Sequence, residues 1–298
     1  MNTKEITALF LLAALWGASF LFMRIASPVI GPVLTIELRV LIAGIVLLLY
    51  VWMFKKSVKL KAYWKQYLIV GALNAAIPFT LIAAATLHLP ASIAAILNST
   101  TPLFTALTSR WFLYEPLDAK KWIGIGLGIA GVFALVGWSP VPLSMQTVFS
   151  ALLSILAAFS YGCGGVYAKK AFTGVSSLSL SIGQQLGAAF VLIPLTVFYI
   201  PTKPVSPVVV YSVLGLAIFC TAIAYLFYFY LLANVGPTKT LSVTFLVPVF
   251  GVIWGMIFLH EKITIGMIGG LMIILTSIFL LSDVKISLNY PHLPANDR

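Results

Sequence analysis

The sequence predicts an all-α membrane protein with ten transmembrane helices, arranged as two inverted repeats of five helices each. Hydrophobic residues make up 61% of the chain and charged residues 8%, and the mean hydropathy is +1.08. A soluble domain has about 45–50% apolar and about 25% charged residues, so most of this apolar surface must face lipid. In addition, a motif in the first half of the chain recurs at matching positions in the second half.

Ten apolar runs are long enough to cross a bilayer, which takes roughly 20 residues per helix. They lie at residues 5–24, 33–54, 66–87, 90–113, 119–138, 147–168, 177–199, 208–232, 237–259 and 263–282. The first run contains Trp16 and lacks a convincing small-residue cleavage site, so we interpret it as an uncleaved span. Little of the chain is left over for a soluble domain.

The repeated motif is an apolar segment with a proline, followed at a fixed spacing by Phe-Leu-x-Glu. Pro102 and Glu115 belong to the first copy, and Pro248 and Glu261 to the second. Further pairs match in the same order: Trp16 with Tyr161, Arg24 with Lys169, and Arg39 with Gln184. We therefore divide the chain into repeats 1–142 and 143–298, joined by the turn-rich residues 137–142. Such repeats are typical of secondary transporters that bind substrate between them.

The basic residues predict the orientation. If the N-terminus lies in the cytoplasm, most of the 18 Lys and Arg residues fall in cytoplasmic loops, as the positive-inside rule requires. This accounts for the net charge of +11 without a nucleic-acid partner. Ten spans then place both termini in the cytoplasm, and five spans per repeat invert the second repeat. We expect a multi-pass protein of the inner membrane.

Several segments resemble the EamA family of the drug/metabolite transporter superfamily. They are residues 15–20 (Leu-Trp-Gly-Ala-Ser-Phe), Arg39, residues 221–225 (Thr-Ala-Ile-Ala-Tyr) with Tyr228, and Pro248 with residues 258–262 (Phe-Leu-His-Glu-Lys). The resemblance covers essentially the whole chain. It implies a basket of helices around a central cavity and the transport of metabolites, often amino-acid export. It does not name the substrate.

Enzyme chemistry has little support in the sequence. The chain has 7 acidic residues and 3 histidines, and they form no recognisable catalytic or metal-binding pattern. A phosphate-binding loop is also missing, so we expect energy from a gradient or from the membrane potential. Cys163 and Cys220 both lie within predicted spans and are interpreted as packing residues. We predict no catalytic residue, no metal and no cofactor.

Glu37 and Arg39 are ionisable residues inside the second predicted span. Each costs about 2.5–3.5 kcal/mol at the centre of a helix in lipid. Two positions apart, they point about 200° away from each other on a helix, so they cannot simply neutralise one another. We predict coupling or gating roles: Glu37 as a proton or cation site, and Arg39 as a clamp on backbone carbonyls or an outer gate. In the alternative, both side chains reach the outer headgroups.

Polar and aromatic residues within the spans predict a substrate-binding cavity, because they share helix faces or occupy matching places in the two repeats. The predicted substrate-binding residues are Trp16, Asn74, Pro78, Asn98, Thr101, Tyr161, Tyr225 and Tyr228. Buried amides need partners in lipid, so the alternative for the two asparagines is hydrogen bonding between helices. Pro102 and Pro248 are predicted to break their helices and free backbone groups for substrate.

Other features predict structure rather than transport. Glu115 and Glu261 are expected to cap the helix that follows each of them. The last span of each repeat carries a Gly-x-x-x-Gly motif, starting at Gly124 and Gly266, which predicts close packing between these spans. Leu47 is expected to face lipid.

The predicted function is secondary transport of a small metabolite by alternating access. Aromatic walls with few charges favour a zwitterionic or aromatic solute, so amino-acid export is the first expectation. A drug exporter or a metabolite importer is the alternative within transport. A lipid-modifying membrane enzyme, which lacks catalytic residues here, and a passive channel are the alternatives from other classes. We expect a monomer whose partners are a small-molecule substrate and the lipid bilayer.

Overall fold

The computed structural model describes residues 1–139, 142–199, 201 and 204–282. Every regular element within these residues is a helix. The α-helices are α1 (Thr3–Ile30), α2 (Pro32–Met53), α3 (Trp64–Gly71), α4 (Ile77–Ala85), α5 (Ala91–Asn98), α6 (Thr101–Phe112), α7 (Ala119–Gly137), α8 (Met145–Ala171), α9 (Ser177–Thr196), α10 (Pro207–Ala217), α11 (Ala224–Thr240), α12 (Val243–Leu259) and α13 (Ile265–Leu281).

These helices form the ten predicted membrane segments. Within the described residues, seven segments are long and apolar enough to cross a bilayer as continuous helices. The other three are the shorter α12 and α13, and a segment in which a turn at Ser99 and Thr100 separates α5 from α6. The predicted all-α fold of ten spans in two inverted repeats is confirmed. Two residues of the predicted hinge (140–141) and the C-terminal residues 283–298 lie outside the described residues.

The third segment of each repeat contains a π-helical turn. Ala72–Ala76 connects α3 with α4, and Ile218–Ile223 connects α10 with α11. A π turn accommodates an extra residue in an otherwise α-helical segment, and such turns often occur at functional sites. Neither turn was predicted from the sequence.

The duplicated aromatic-glycine pair of the first and sixth spans makes the same contact twice. A Cβ placed on Gly17 of α1 would lie 2.7 Å from the Cβ of Phe250 on α12. A Cβ placed on the equivalent Gly162 of α8 would lie 2.8 Å from the backbone carbonyl carbon of Phe104 on α6. The first span of each repeat therefore packs on the fourth span of the other, through a glycine that allows close approach.

The last spans of the two repeats, α7 and α13, form the most extensive helix pair. Ser277 Oγ donates a hydrogen bond to the carbonyl oxygen of Gly124 at 2.6 Å. A Cβ on Gly270 would lie 2.9 Å from the Cα of Leu135, so the two backbones approach closely at this motif too. The predicted packing of the Gly-x-x-x-Gly motifs is confirmed.

The two predicted helix-breaking prolines differ. Pro102 is the second residue of α6, directly after the break that follows α5. Pro248 lies inside α12, which runs unbroken from Val243 to Leu259, so the predicted break at Pro248 is wrong. A packed helix can tolerate the one hydrogen bond that a proline removes. The chain leaves the helical conformation at Gly236 instead, with φ 78° and ψ 172°, which glycine adopts readily.

Leu47 does not face lipid. Its side chain is fully buried and packs in a cluster with Ala43, Val51 and Ile182, because this face of α2 lies against α9. Leu49, two positions further along α2, is exposed instead. The prediction for Leu47 was therefore wrong in its choice of helix face.

Candidate functional site

Arg39 is buried among helices of both repeats. Its side chain is 3% exposed. The guanidinium Nε donates a hydrogen bond to Thr221 Oγ1 at 2.9 Å, and the guanidinium carbon lies 3.6 Å from the centre of the Phe79 ring. A hydrogen bond at one edge and an aromatic ring on one face fix the orientation of this cation.

Thr221 belongs to the π-helical turn Ile218–Ile223. Its hydroxyl donates to the carbonyl oxygen of Leu216 at 2.8 Å, which leaves the hydroxyl oxygen to accept the hydrogen bond from Arg39. The predicted clamp of Arg39 on backbone carbonyls is therefore not formed. Arg39 instead donates to the Thr221 hydroxyl, and that hydroxyl donates to the carbonyl oxygen of Leu216.

Tyrosines from the second repeat surround Arg39. Tyr161 of α8 and Tyr225 of α11 both interact electrostatically with the guanidinium. Tyr161 packs edge-on against Phe79, with ring centroids 6.0 Å apart. The hydroxyl of Tyr225 accepts a hydrogen bond of 3.0 Å from the side-chain amide of Gln184.

The aromatic cluster continues from Tyr225 to α1. The rings of Tyr225 and Tyr228 lie 6.5 Å apart, and Tyr228 packs on Trp16 with centroids 5.8 Å apart. All four aromatic residues predicted at the substrate site are thus linked to Arg39, directly or through a neighbouring ring. Such pairs stabilise by about 0.5–1.5 kcal/mol beyond area burial.

Glu37 is also buried, at 4% exposure, and neither of its carboxylate oxygens has a hydrogen-bond partner among the described residues. Arg39 and Glu37 form no ion pair, as their spacing on α2 predicts. Neither side chain emerges from the protein, so the alternative in which both reach the headgroups is wrong. An unpaired buried carboxyl is costly, which makes Glu37 a candidate for ligand or proton binding.

Asn74 and Pro78 lie beside the cluster, at the π-helical turn of the third span. A Cβ on Gly164 of α8 would overlap the side-chain oxygen of Asn74, so the amide is packed against that helix. Pro78 is buried in the first turn of α4, directly before Phe79. This contact is one of packing, so whether Asn74 binds substrate or forms a hydrogen bond between helices stays a prediction.

Asn98 and Thr101 lie at the break between α5 and α6. Thr101 Oγ1 donates to the backbone carbonyl of Asn98 at 2.7 Å, and the side-chain oxygen of Asn98 is buried without a hydrogen-bond partner among the described residues. No hydrogen bond or ring contact of the described residues joins either one to Arg39. The structure therefore separates this polar pair from the arginine cluster.

Sequence reasoning missed Phe79, Thr221 and Gln184 as neighbours of the site. Two of them carried a signal: Thr221 opens the Thr-Ala-Ile-Ala-Tyr segment, and Gln184 is the repeat counterpart of Arg39. Phe79 carried none beyond its position after Pro78. The π-helical turn that positions Thr221 has no sequence signature that we recognise.

Glu261 closes one end of the molecule across the two repeats. Its carboxylate accepts hydrogen bonds from the backbone N–H groups of Ala91 and Ser92, at 2.6 and 3.0 Å, and from Ser92 Oγ at 2.5 Å. It thus caps α5, and not the following helix α13, which is capped by Thr264. The predicted capping role is correct in kind, but its target lies in the other repeat. Hydrogen bonds to charged groups contribute about 1.5–3 kcal/mol each.

Glu115 makes no equivalent contact. It forms an exposed ion pair of 2.6 Å with Lys169, and the following helix α7 is capped by Asp118. The repeat counterpart of Lys169, Arg24, instead donates to the backbone carbonyls of Thr86 and Leu87 at the end of the third span. The two ends of the protein therefore use equivalent residues in different ways.

The helix packing differs between the ends in the same sense. At the Glu261 end, α5 packs along α12, where Gly251 allows close contact with Ala95 and Gly255 leaves room for the Glu261 carboxylate. At the Glu115 end, α6 makes no comparable packing contact with α12. The fourth and ninth spans thus meet at one end and diverge toward the other.

Comparison with known proteins extends these observations. The EamA-like transporter family matches the chain twice, over residues 3–137 and 148–283. The chain is 29% identical to "Uncharacterized transporter YvbV" of Bacillus subtilis, over 94% of this chain and 92% of that protein. It is 24% identical to a "Probable amino-acid metabolite efflux pump" of Escherichia coli, over 94% and 95% of the two chains.

A solved crystal structure has the same fold. It superimposes with a TM-score of 0.66 over 94% of this chain and 96% of that one, at 17% sequence identity. That identity supports the fold alone. The family match, in contrast, covers nearly all of both repeats. This chain belongs to the EamA-like transporter family, and is a membrane transporter of that type.

Proposed function

We propose that this chain is a secondary transporter that exports an amino acid across the inner membrane by alternating access. The unequal closure of its two ends is the observation that supports this most. Glu261 ties the fourth and ninth spans together at one end, and α6 and α12 diverge at the other. A substrate site between the repeats is then reached from one side at a time.

The opposite state follows from the inverted repeats. Glu261 leaves the start of α5, and Glu115 leaves Lys169 to accept the N–H groups that follow Pro237. Pro237 directly follows the break at Gly236, as Pro90 directly precedes α5, so the two helix starts are equivalent targets for a carboxylate. Because each cap uses the positive end of a helix, the exchange replaces one favourable contact by a similar one.

The character of the buried cluster supports an amino acid as the substrate. Trp16, Tyr161, Tyr225 and Tyr228 provide aromatic walls, and these suit a small apolar or aromatic side chain. The Escherichia coli relative with an amino-acid efflux name agrees with this choice. A drug exporter or a metabolite importer of the same fold is the alternative. The chain acts as a monomer in this proposal, and both termini lie in the cytoplasm.

The orientation has its own test. With the N-terminus in the cytoplasm, the Glu261 end faces outward and this structure is open toward the cytoplasm. In a background without Cys163 and Cys220, cysteines at Lys59 and Lys120 should be shielded from an impermeant thiol reagent in intact cells, and a cysteine at Ser139 should react. Reaction at Lys59 with protection at Ser139 would reverse the orientation. A cysteine at Lys203, which lies outside the described residues, should react as well.

Glu37 is proposed as the coupling residue, because its carboxyl is buried and unpartnered. Glu37→Gln should abolish accumulation driven by a pH gradient and leave substrate exchange measurable, since exchange needs no net proton movement. Proteoliposomes with and without an imposed gradient distinguish the two. Unchanged gradient dependence in the mutant would exclude Glu37 from coupling.

Counterflow in proteoliposomes tests the function itself. We expect saturable exchange of labelled amino acids, with aromatic ones preferred. Trp16→Ala and Tyr225→Ala, both in the aromatic cluster, should each weaken the apparent affinity about tenfold, the equivalent of losing about 1.4 kcal/mol. Leu49→Ala, on the exposed face of α2, is the control and should change nothing.

Two results would count against this proposal. Linear, non-saturating flux would indicate a channel. Full activity of both alanine variants, or loss of folding together with transport, would mean that these side chains hold helices together and that the substrate binds elsewhere.

A further inference from the structure

We propose that Arg39 binds a carboxylate of the transported solute, so that the substrates are small monocarboxylates or zwitterions with an apolar or aromatic body. This inference rests on the proposed transport function and specifies its binding site. Arg39 was predicted from the sequence as a gate or structural clamp, and its contacts point to a ligand instead.

The guanidinium is a buried cation with no counter-ion in the part of the chain that the structure describes. Among the described residues, no carboxylate forms an ion pair with Arg39, and its Nη1 is buried with no hydrogen-bond partner. A buried charge is tolerated when it is paired and hydrogen-bonded. Glu37 lies on another face of α2, so no carboxylate of the described residues fills this place, and a carboxylate of a bound solute can.

The end of the guanidinium has no hydrogen-bond partner among the described residues. Thr221 occupies Nε and the Phe79 ring covers one face. The Nη1 and Nη2 groups, which have no hydrogen bond to the described residues, form the edge that a carboxylate binds with two parallel hydrogen bonds. Arginine is suited to this role because its charge is permanent and its donors are fixed in one plane.

The surroundings limit the kind of anion. Arg39 is one positive charge, and Tyr161, Tyr225 and Cys220 are titratable groups near it. These are neutral at ordinary pH by their usual pKa values. A single cation among aromatic rings matches one carboxylate on an apolar body, and a phosphate dianion would leave negative charge uncompensated. The second repeat has Gln184 where the first has Arg39, so the symmetry supplies no second cation at the equivalent position.

A pair of probes that differ in charge alone tests this inference on the unmodified protein. Phenylacetate and phenylacetamide have the same ring and nearly the same shape. We expect phenylacetate to bind the purified full-length protein at least tenfold more tightly, as measured by calorimetry or thermal shift, because the neutral amide loses the charge-assisted hydrogen bonds. Equal affinities, or no binding of phenylacetate, would overturn the proposal.

Variants assign that difference to Arg39. In Arg39→Gln the preference for phenylacetate should disappear, and in Arg39→Lys it should be reduced but present. Arg24→Gln is the matched control, since Arg24 is another arginine on an adjacent span but bonds to the carbonyls of Thr86 and Leu87. It should keep the full preference. Survival of the preference in a folded Arg39→Gln protein would place the carboxylate elsewhere.

The inference can fail separately from the transport function. If amino acids show counterflow but phenylacetate and phenylacetamide compete with them equally, the transport function is supported and the proposed role of Arg39 is wrong. If the carboxylate preference depends on Arg39 but no solute shows counterflow, the carboxylate site is supported and the transport proposal is wrong. If sodium chloride alone displaces phenylacetate at millimolar concentration, Arg39 is a site for inorganic anions and the proposed substrate class is wrong.

Discussion

The two ends of this protein are built from equivalent residues and make different contacts. Glu261 accepts hydrogen bonds from the backbone and side chain at the start of α5. Its counterpart Glu115 pairs with the exposed Lys169. Both glutamates follow the same Phe-Leu-x sequence. Local sequence therefore cannot explain the difference. We interpret the two glutamates as equivalent helix caps, of which one is formed in this structure and the other is not.

The contacts between the repeats show a second contrast. The α7–α13 interface is close-packed along glycine motifs and includes the hydrogen bond from Ser277 to Gly124. The α5–α12 interface combines a short glycine contact with the carboxylate cap of Glu261. A close-packed interface such as α7–α13 loses its contacts when the helices shift. A carboxylate cap can be replaced by an equivalent cap at another helix start. We therefore expect α7–α13 to stay fixed and α5–α12 to open.

The largest expected effect comes from locking the α5–α12 contact. A Cβ on Gly255 would lie 3.6 Å from Ser92 Cβ, within the range of about 3.5–4.5 Å found in disulfides. Oxidation of Ser92→Cys with Gly255→Cys, in a background without Cys163 and Cys220, should abolish counterflow. Reduction should restore it.

A matched pair in the α7–α13 interface is the control. A Cβ on Gly124 would lie 3.1 Å from Leu280 Cβ, so Gly124→Cys with Leu280→Cys requires only a small adjustment to crosslink. Counterflow should survive this disulfide. If it stopped transport as completely as the α5–α12 crosslink, the contrast between a fixed and a changing interface would be wrong.

The next effect concerns the cap itself. Glu261→Gln removes the charge from three hydrogen bonds, so the amides of Ala91 and Ser92 should exchange with deuterated water at least tenfold faster. Peptides that cover residues 89–98 report this in mass spectrometry. Ser92→Ala removes one of the three bonds and should give a smaller increase. Unchanged exchange in Glu261→Gln would mean that the cap does not hold this end closed.

The smallest effect on stability is expected at Glu115. An exposed ion pair contributes about 0–1 kcal/mol, so Glu115→Gln should leave the thermal midpoint nearly unchanged. Counterflow should nevertheless fall about tenfold, because the opposite state loses its cap. Asp118→Asn, which removes the charge of another exposed acid near the same end and keeps an N-cap for α7, is the control for charge. Normal transport in a stable Glu115→Gln protein would remove the symmetry argument.

Much of the fold could be predicted because apolar length and repetition are local properties of the sequence. Ten apolar runs and two Phe-Leu-x-Glu segments suffice for ten spans in two inverted repeats. The glycine motifs of α7 and α13 were predicted for the same reason. The matching positions of Trp16 and Tyr161 drew attention to two rings of the cluster near Arg39, and their contact with substrate stays a prediction.

The remaining features depend on contacts between distant parts of the chain. Nothing near Glu261 in the sequence indicates that it caps α5 in the other repeat. The π-helical turn that brings Thr221 to Arg39 depends on packing, and the face of α2 that Leu47 occupies depends on α9. At Pro248 the local sequence was misleading instead: a proline predicts a break, but the packed helix α12 continues through it.

Paired distances at the two ends test the central claim most directly. Spin labels on His88 and Phe258 report the Glu261 end, and labels on Phe112 and Leu241 report the Glu115 end; all four residues are exposed. Pulsed electron paramagnetic resonance gives each distance distribution without a known substrate. Glu261→Gln is used to shift the population.

Alternating access by exchange of equivalent contacts predicts opposite changes at the two ends. In Glu261→Gln, the distance between residues 88 and 258 should lengthen and the distance between residues 112 and 241 should shorten. Lengthening at the first pair with no change at the second, or parallel changes at both, would contradict the account.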